Sequence, residues 1–191
     1  MATAVLLEGI EKKRHRKEVY DLDILQLLYI AERNYLAKEG AMFIGGEIYA
    51  MQHGPVHGSV FDLIRGIDAP RSDEWTRYIQ ILPETHSVKR ICHPENIRLW
   101  REELIELSEG VELYCLMNKY NYDWEDGDLA KLTLSFPEWK KYKPAKNQKR
   151  RLIPWEEILK VQDREDLIAY AYRNFEIENM VQKILAEVFR Q

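Results

Sequence analysis

A segment with apolar residues on two helical faces constrains the fold of this chain more than any other feature. Between positions 22 and 36, two stripes repeat at helical spacing: Ile24, Leu28, Ala31 and Tyr35 form one, and Leu22, Leu25, Tyr29 and Leu36 form the other. A helix that is apolar on more than one face is buried over much of its circumference, so we predict a central helix here. We expect the Asp21 carboxylate to cap its N-terminus and Gly40 to end it in the left-handed conformation.

Further helical patterns predict a mainly α fold, in which a compact helical domain surrounds this central helix. We predict helices over residues 3–17, 108–120 (with Ser108 as cap), 128–133 and 155–161, and a short one from Pro137. The last segment, 163–191, predicts a long helix capped by Asp163, with apolar residues at Ile177, Met180, Val181, Ile184, Leu185 and Val188. At ~1.5 Å per residue it would be about 40 Å long. Such a helix either packs on the domain or extends from it and offers an apolar face to a partner.

Two small β-hairpins are also predicted. The first covers residues 42–51, with Gly45 and Gly46 supplying the positive φ angles of a tight turn. The second joins residues 76–82 to 87–92 through a turn at 83–86. Between the hairpins, we expect Pro55 to open a helix that ends near Gly66, because a proline at the first helical position loses no hydrogen bond.

Length favours a single domain over residues 1–191, and the lack of long apolar runs favours a cytoplasmic protein. No apolar run approaches the ~18–20 residues of a membrane helix, and the apolar stretch near the start is too short for a signal peptide. The net charge of −4 argues against a general nucleic-acid binder.

Cys92 and Cys115 are expected to be reduced, partly buried thiols, because the chain has no other cysteines and no scaffold of disulfides.

No motif predicts catalysis, a cofactor or a metal site. His53 and His57 are four residues apart, but Gly54 and Pro55 between them break the helix that a zinc pair would need. The chain has no Cys-x-x-Cys pair, no Gly-x-Ser-x-Gly turn and no phosphate-binding glycine loop. We therefore expect a binding protein rather than an enzyme, with no cofactor.

One stretch concentrates positive charge without an acidic residue. It contains Lys140, Lys141, Lys143, Lys146, Lys149, Arg150 and Arg151, and it is called the basic stretch below. A basic segment of this kind is either a solvated helix face or loop, or a binding site for an anionic partner. The sequence leaves both interpretations open.

Two motifs in order connect the chain with a known family. The first is Leu27-Leu28-Tyr29-Ile30-Ala31-Glu32, followed by Gly40, and the second is Ala50-Met51-Gln52-His53-Gly54-Pro55-Val56. Residues 22–66 therefore resemble the Panacea domain of antitoxins from bacterial and phage toxin–antitoxin systems, with fainter similarity over most of the remaining chain. One position departs from the pattern: Thr133 is followed by Leu134 where the family often has Thr-His.

The resemblance implies a protein that neutralises a cognate toxin by direct contact, the toxin being encoded by an adjacent gene. It leaves as alternatives a nucleic-acid-binding regulator and a proteolysis adaptor or chaperone-like binding protein, and it leaves homo-oligomerisation open. We expect the motif residues to define the fold rather than the contact: Leu27, Leu28, Tyr29, Ala31, Gly40, Met51, Gly54, Pro55 and Val56. Partner contacts are predicted on the basic stretch and the C-terminal helix.

Overall fold

A computed structural model describes residues 1–67, 69–93, 99–117 and 128–188. Over these residues the chain forms nine α-helices and two three-stranded sheets, which confirms the predicted mainly α class. The helices are α1 (Ala2–Arg14), α2 (Asp21–Glu39), α3 (Gly58–Ile64), α4 (Ala69–Tyr78), α5 (Arg101–Met117), α6 (Asp128–Ser135), α7 (Pro137–Tyr142), α8 (Trp155–Lys160) and α9 (Ile168–Val188). The strands are β1 (Glu18–Tyr20), β2 (Ile48–Met51), β3 (Gly54–His57), β4 (Ile79–Leu82), β5 (Ser87–Arg90) and β6 (Arg150–Ile153).

Helix α2 is the most extensively buried of the described helices, and it contacts α1, α5, α6, α8 and strand β3. The expected cap at Asp21 is wrong: Asp21 is the first helical residue, Tyr20 is the N-cap, and no side chain caps the helix. The chain enters α2 directly from β1, and the Asp21 N–H donates to the His86 carbonyl at 2.9 Å, so the strand connection replaces the cap. Gly40 ends the helix at φ 62° as predicted.

The first predicted hairpin is wrong in its position. Strand β2 pairs with β3 through a turn at Gln52 and His53, whereas Gly45 and Gly46 lie in the irregular segment before β2. Pro55 accordingly lies within strand β3 and does not open a helix, since α3 begins at Gly58. Proline is tolerated there because β3 is an edge strand of the sheet.

Strand β6 returns from far along the chain to pair with the other side of β2, which gives a sheet of order β3-β2-β6. The second predicted hairpin is confirmed in its pairing: β4 and β5 are antiparallel and are joined by a 3₁₀ turn over Pro83–Thr85. Its first strand is shorter than expected because residues 76–78 belong to α4. Strand β1 pairs with the outer edge of β5 and completes this sheet.

Several predicted helix boundaries also differ from the structure. Helix α5 begins at Arg101, so Ser108 lies inside it, and the Glu103 carboxylate instead accepts the Trp100 N–H at 2.9 Å. Residues 118–120, at the predicted end of this helix, lie outside the described residues. Asp163 adopts φ 54° in a turn and is not a cap, and α9 begins five residues later at Ile168.

The predicted helices near residues 3–17, 128–133 and 155–161 and the one opening at Pro137 are confirmed, each within a few residues, as α1, α6, α8 and α7. Within the described ranges, every helix is too short or too polar to cross a membrane.

Candidate partner-binding surface

The first motif lies in the core of the protein. Leu27, Leu28 and Tyr29 have no exposed surface, and Ala31 is 2% exposed. These side chains lie among the buried residues on which α1, α5 and strand β3 pack. None of these four residues is accessible to a partner in the folded chain.

Glu32, the last residue of this motif, holds the irregular segment before β2. Its buried carboxylate accepts three backbone N–H groups, from Phe43 and Ile44 at 3.1 Å and from Gly45 at 2.9 Å. Burial nevertheless raises the pKa of Glu32 to about 7, because desolvation outweighs these hydrogen bonds. The same interaction explains why residues 43–45 do not form the predicted hairpin, since their N–H groups are already bound.

A second buried polar network ties α2 to α7 and to the chain beyond α8. The Tyr29 hydroxyl donates to Glu138 Oε1 at 2.5 Å, and Arg33 Nε donates to the same oxygen at 2.6 Å. Arg33 Nη1 also donates to Gln162 Oε1 at 2.9 Å, and its guanidinium lies 4.6 Å from the centre of the Phe136 ring. The hydroxyl of the motif tyrosine therefore supplies a hydrogen-bond donor to a buried carboxylate.

The second motif is explained by a close approach of backbone to side chains. Gly54 adopts φ 126°, and a Cβ atom there would lie 2.8 Å from Gln26 Nε2 and 2.9 Å from Thr133 Oγ1. Gln26 Nε2 donates to the His53 carbonyl at 2.8 Å, which fixes the β2–β3 turn on α2. Only glycine fits both the backbone angle and this space. Thr133, which precedes the departure from the Thr-His pattern at Leu134, packs against this turn.

An open pocket of about 230 Å³ lies beside this turn. It is formed by the β1–α2 junction, the β2–β3 hairpin, α3 and the turn before β5. Its apolar lining consists of Tyr20, Leu22, Leu25, Met51, Val56 and Phe61, and its polar lining of Asp21, His53, Arg65 and His86. Arg65 Nη2 is 3.5 Å from Asp21 Oδ2, and burial raises the pKa of Asp21 above its ordinary value although Arg65 lowers it.

The pocket continues onto one face of the sheet β3-β2-β6. Val56, Tyr49 and Leu152 are register partners across the three strands, so their side chains share this face. Leu152 is 44% exposed. The Arg150 guanidinium lies 4.4 Å from the centre of the Tyr49 ring, and its Nη1 donates to Asp62 Oδ1 at 3.1 Å. We call Tyr49, Arg150 and Leu152 the outer sheet face.

The structure places the basic stretch on the surface next to this face. It runs from α7 through a loop into β6, and all seven basic side chains are exposed: Lys140, Lys141, Lys143, Lys146, Lys149, Arg150 and Arg151. The stretch is partly neutralised, because Lys141 pairs with Glu157 and Arg150 pairs with Asp62. The cationic groups of Lys143 and Arg151 lie over the Trp139 and Tyr142 rings at 5.0 and 4.9 Å.

Helix α9 is packed at its start and exposed further on. Ala171 is fully buried, and Phe175 packs edge-on against Trp155 at 4.9 Å between ring centres. By contrast, Ile177 is 54% and Met180 61% exposed. The first turns therefore pack on the domain, and the following residues present apolar side chains to solvent. Ile184, Leu185 and Val188, whose side chains were predicted to continue this face, have side chains outside the described set.

The fold separates the two histidines that the sequence offered as a candidate metal-binding pair. His57 is buried with its Nε2 4.0 Å from Glu32 Oε1, whereas His53 lies in the exposed turn. Among the described residues, no three His, Cys, Asp or Glu side chains are grouped to hold a metal. Both cysteines are free, but Cys92 is exposed, so the expectation of two partly buried thiols holds only for Cys115.

Sequence reasoning missed Arg33, Glu138 and the residues of the pocket rim. A charged residue in a buried apolar pattern, such as Arg33 one turn after Tyr29, indicates a buried partner, but its identity is not encoded locally. Glu138 follows Pro137 at a helix start, where an acidic residue is already expected because it interacts favourably with the helix dipole.

The family of the chain is decided by comparison with family models. The model described as "Antitoxin SocA-like, Panacea domain" matches residues 24–140, more than half of the chain. The chain belongs to this family. The match contains both sequence motifs, the Tyr29–Glu138 hydrogen bond and most of the pocket, and it ends at the start of the basic stretch. Neither the curated proteins nor the solved structures contain a significant match.

Proposed function

We propose that this protein is a cytoplasmic antitoxin that neutralises a cognate toxin by direct protein–protein contact. The observation that carries the proposal is the match of residues 24–140 to an antitoxin-like domain family. In this proposal the protein acts by binding and performs no chemistry of its own, and it needs no cofactor. The toxin is the product of an adjacent gene.

The contact surface is assigned to exposed elements beyond the buried motifs. The basic stretch lies almost wholly after residue 140, and the exposed part of α9 follows it, so neither belongs to the segment that defines the family. If antitoxins of one family neutralise different toxins, their contact surfaces must differ while their scaffold stays the same. Exposed lysines and arginines favour an acidic patch on the partner.

Co-expression tests the proposal directly. The neighbouring gene is induced in a host strain with and without this protein, and growth and toxin abundance are both followed. We expect growth to be restored while the toxin accumulates in a complex that co-purifies with this protein. Restored growth with loss of the toxin would instead indicate delivery to a protease, and no restoration would refute neutralisation.

A charge-reversal set locates the contact. Lys140→Glu, Lys146→Glu and Lys149→Glu together reverse three exposed charges of the basic stretch. A matched control reverses Lys17, Arg77 and Arg101, three exposed charges on other surfaces. We expect only the first set to weaken the complex. The Kd of the wild-type complex should rise with salt concentration, and this dependence should be lost in the first set. Equal effects of the two sets would remove the basic stretch from the contact.

The nucleic-acid alternative has its own measurement. Retention of labelled duplex DNA in a gel shift at low salt, lost as salt is raised, would support a nucleic-acid-binding regulator. We expect no retention, since the net charge is −4 and two cations of the basic stretch are paired with carboxylates.

A further inference from the structure

The pocket beside the β2–β3 turn has the size of one side chain. Its volume is about 230 Å³. An apolar cavity of roughly 150 Å³ holds a benzene molecule, and cofactor and drug sites begin near roughly 300 Å³. The pocket therefore accommodates one aromatic ring or one branched aliphatic group.

The pocket combines an apolar floor with a rim on which Arg65 pairs with Asp21. Leu25, Met51 and Phe61 are among the apolar lining residues. At the rim, the Arg65 side chain is 47% exposed, whereas the Asp21 side chain with which it pairs is 13% exposed. Because a guanidinium has five N–H donors, Arg65 can bind a second carboxylate while it keeps Asp21. The rim thus complements an anionic group next to an apolar one.

The walls of the pocket are held in place before any ligand arrives. The His53 carbonyl is bound by Gln26 at 2.8 Å, and the His86 carbonyl is bound by the Asp21 N–H at 2.9 Å. Gly54, next to His53, is wedged against Gln26 and Thr133. A site of this kind loses little conformational entropy when it is filled.

We propose that this pocket receives one aromatic or branched apolar side chain of the toxin, from a segment that carries a carboxylate beside that side chain. The proposal rests on the proposed function and adds a second contact point, within the family-matched segment, to the basic stretch and helix α9. Arg65 binds the carboxylate, and the outer sheet face (Tyr49, Arg150 and Leu152) lies against the residues that flank it. Pockets filled by a single large side chain supply most of the binding energy in many protein interfaces.

Two substitutions test the pocket against the neighbouring-gene product. Leu22→Trp fills the space from α2, and Arg65→Glu reverses the rim charge. Arg77→Glu, on exposed α4, is the matched control. We expect each pocket variant to raise the Kd at least about 30-fold, the effect of losing an interface hot spot, while the control stays within about threefold. Circular dichroism and thermal melting verify folding; if Leu22→Trp fails to fold, Arg65→Glu alone carries the comparison.

A small probe tests the pocket without a toxin. 4-Phenylbutyrate carries a ring and a carboxylate, and its titration is followed by amide NMR shifts of the full chain. We expect millimolar binding, with shift changes confined to residues lining the pocket and absent in Leu22→Trp. Unchanged shifts, or changes spread over the basic stretch, would overturn the proposal.

The outcomes separate the two proposals. If the wild-type protein neither binds nor neutralises the neighbouring gene product, the proposed function is refuted, and so is the toxin as occupant of the pocket. The 4-phenylbutyrate titration then still shows whether the pocket binds a ring with a carboxylate. A wild-type protein that neutralises equally well with Leu22→Trp and Arg65→Glu refutes the pocket alone. Self-association that is lost in Leu22→Trp, measured by sedimentation, identifies a second copy as the occupant and also overturns the proposal.

Discussion

Glu138 supports the strongest stability prediction, because a single carboxylate oxygen there holds two donors from α2. The carboxylate is fully buried, Tyr29 donates to it at 2.5 Å, and Arg33 donates to it at 2.6 Å. The Arg33 side chain is only 14% exposed, so solvent compensates its charge poorly. The perturbation is Glu138→Met, which keeps most of the side-chain volume and removes both acceptors.

The expected cost follows from what the substitution leaves behind. Breaking a buried ion pair by removing one partner costs about 3–5 kcal/mol, because the remaining charge stays buried. In the double variant with Arg33→Met, no charge is stranded. The buried Tyr29 hydroxyl then lacks its acceptor, at about 1–3 kcal/mol, and the half-buried Gln162 Oε1 loses its Arg33 donor. The double variant is therefore expected to be about 2 kcal/mol more stable than Glu138→Met alone.

Urea denaturation at pH 7 of the wild type, both single variants and the double variant measures these free energies of unfolding. The slope of each transition should stay constant, so that the midpoints report stability alone. The reasoning is refuted if Glu138→Met costs less than about 1 kcal/mol. It is also refuted if the two substitutions add to within about 0.5 kcal/mol, as independent sites do.

Three further predictions concern backbone space, loop anchoring and pH. Gly54→Ala is expected to lower the free energy of unfolding by about 2–4 kcal/mol, because the alanine adopts a strained φ and its methyl displaces Gln26; thermal and urea denaturation measure the loss. Glu32→Gln places an amide donor against backbone N–H groups, which costs about 1–3 kcal/mol and speeds hydrogen exchange in residues 43–45. Burial raises the pKa of Asp23 to about 7, so the folded chain binds the proton more tightly than the unfolded chain, and stability falls as pH rises from about 4 to 7. Asp23→Asn removes the Asp23 part of this fall and stabilises the protein at pH 8 by up to about 4 kcal/mol, while Glu32, whose pKa is also raised to about 7, keeps its own part of the fall.

Each of these predictions has a control and a contradicting result. Gly66→Ala, at φ 68° where an added methyl would meet no described atom within 4 Å, separates backbone strain from crowding and should cost less than Gly54→Ala. Uniform exchange rates in residues 43–45 of Glu32→Gln and wild type would exclude the anchoring role. Asp73→Asn, at an exposed position on α4, should leave the pH profile unchanged. A profile that Asp23→Asn does not alter would contradict the pH argument.

The structure confirms the parts of the prediction that depend on neighbouring residues. The apolar stripes of α2, the end of that helix at Gly40 and the helix start at Pro137 all follow from spacing over one or two turns. The hairpin at Gly45 and Gly46 failed for the opposite reason. A glycine pair is compatible with a tight turn, but whether the N–H groups beside it bind a strand or the Glu32 carboxylate depends on a residue in another helix.

In the candidate surface, too, the features set by neighbouring residues are predictable from sequence and those set by distant residues are not. The basic stretch and the exposed apolar residues of α9 are visible in the sequence because charge and helical spacing are local properties. The pocket is not visible, because its lining comes from α2, two strands, α3 and a distant turn that meet only in the folded chain. Its rim forms only in the folded chain, where Arg65 lies beside Asp21.

By itself, the sequence determined that this chain is mainly helical, that α2 is buried, and that its motifs are those of an antitoxin-like family. Helical periodicity and glycine conformation act within a few residues, so they are readable without a structure. Tertiary structure alone decided that Glu32 binds the segment before β2, that β6 joins β2, and that a ring-sized pocket opens beside Gly54. These features depend on which distant groups satisfy each buried polar atom and each strand edge, and that pairing is set only when the whole core is packed.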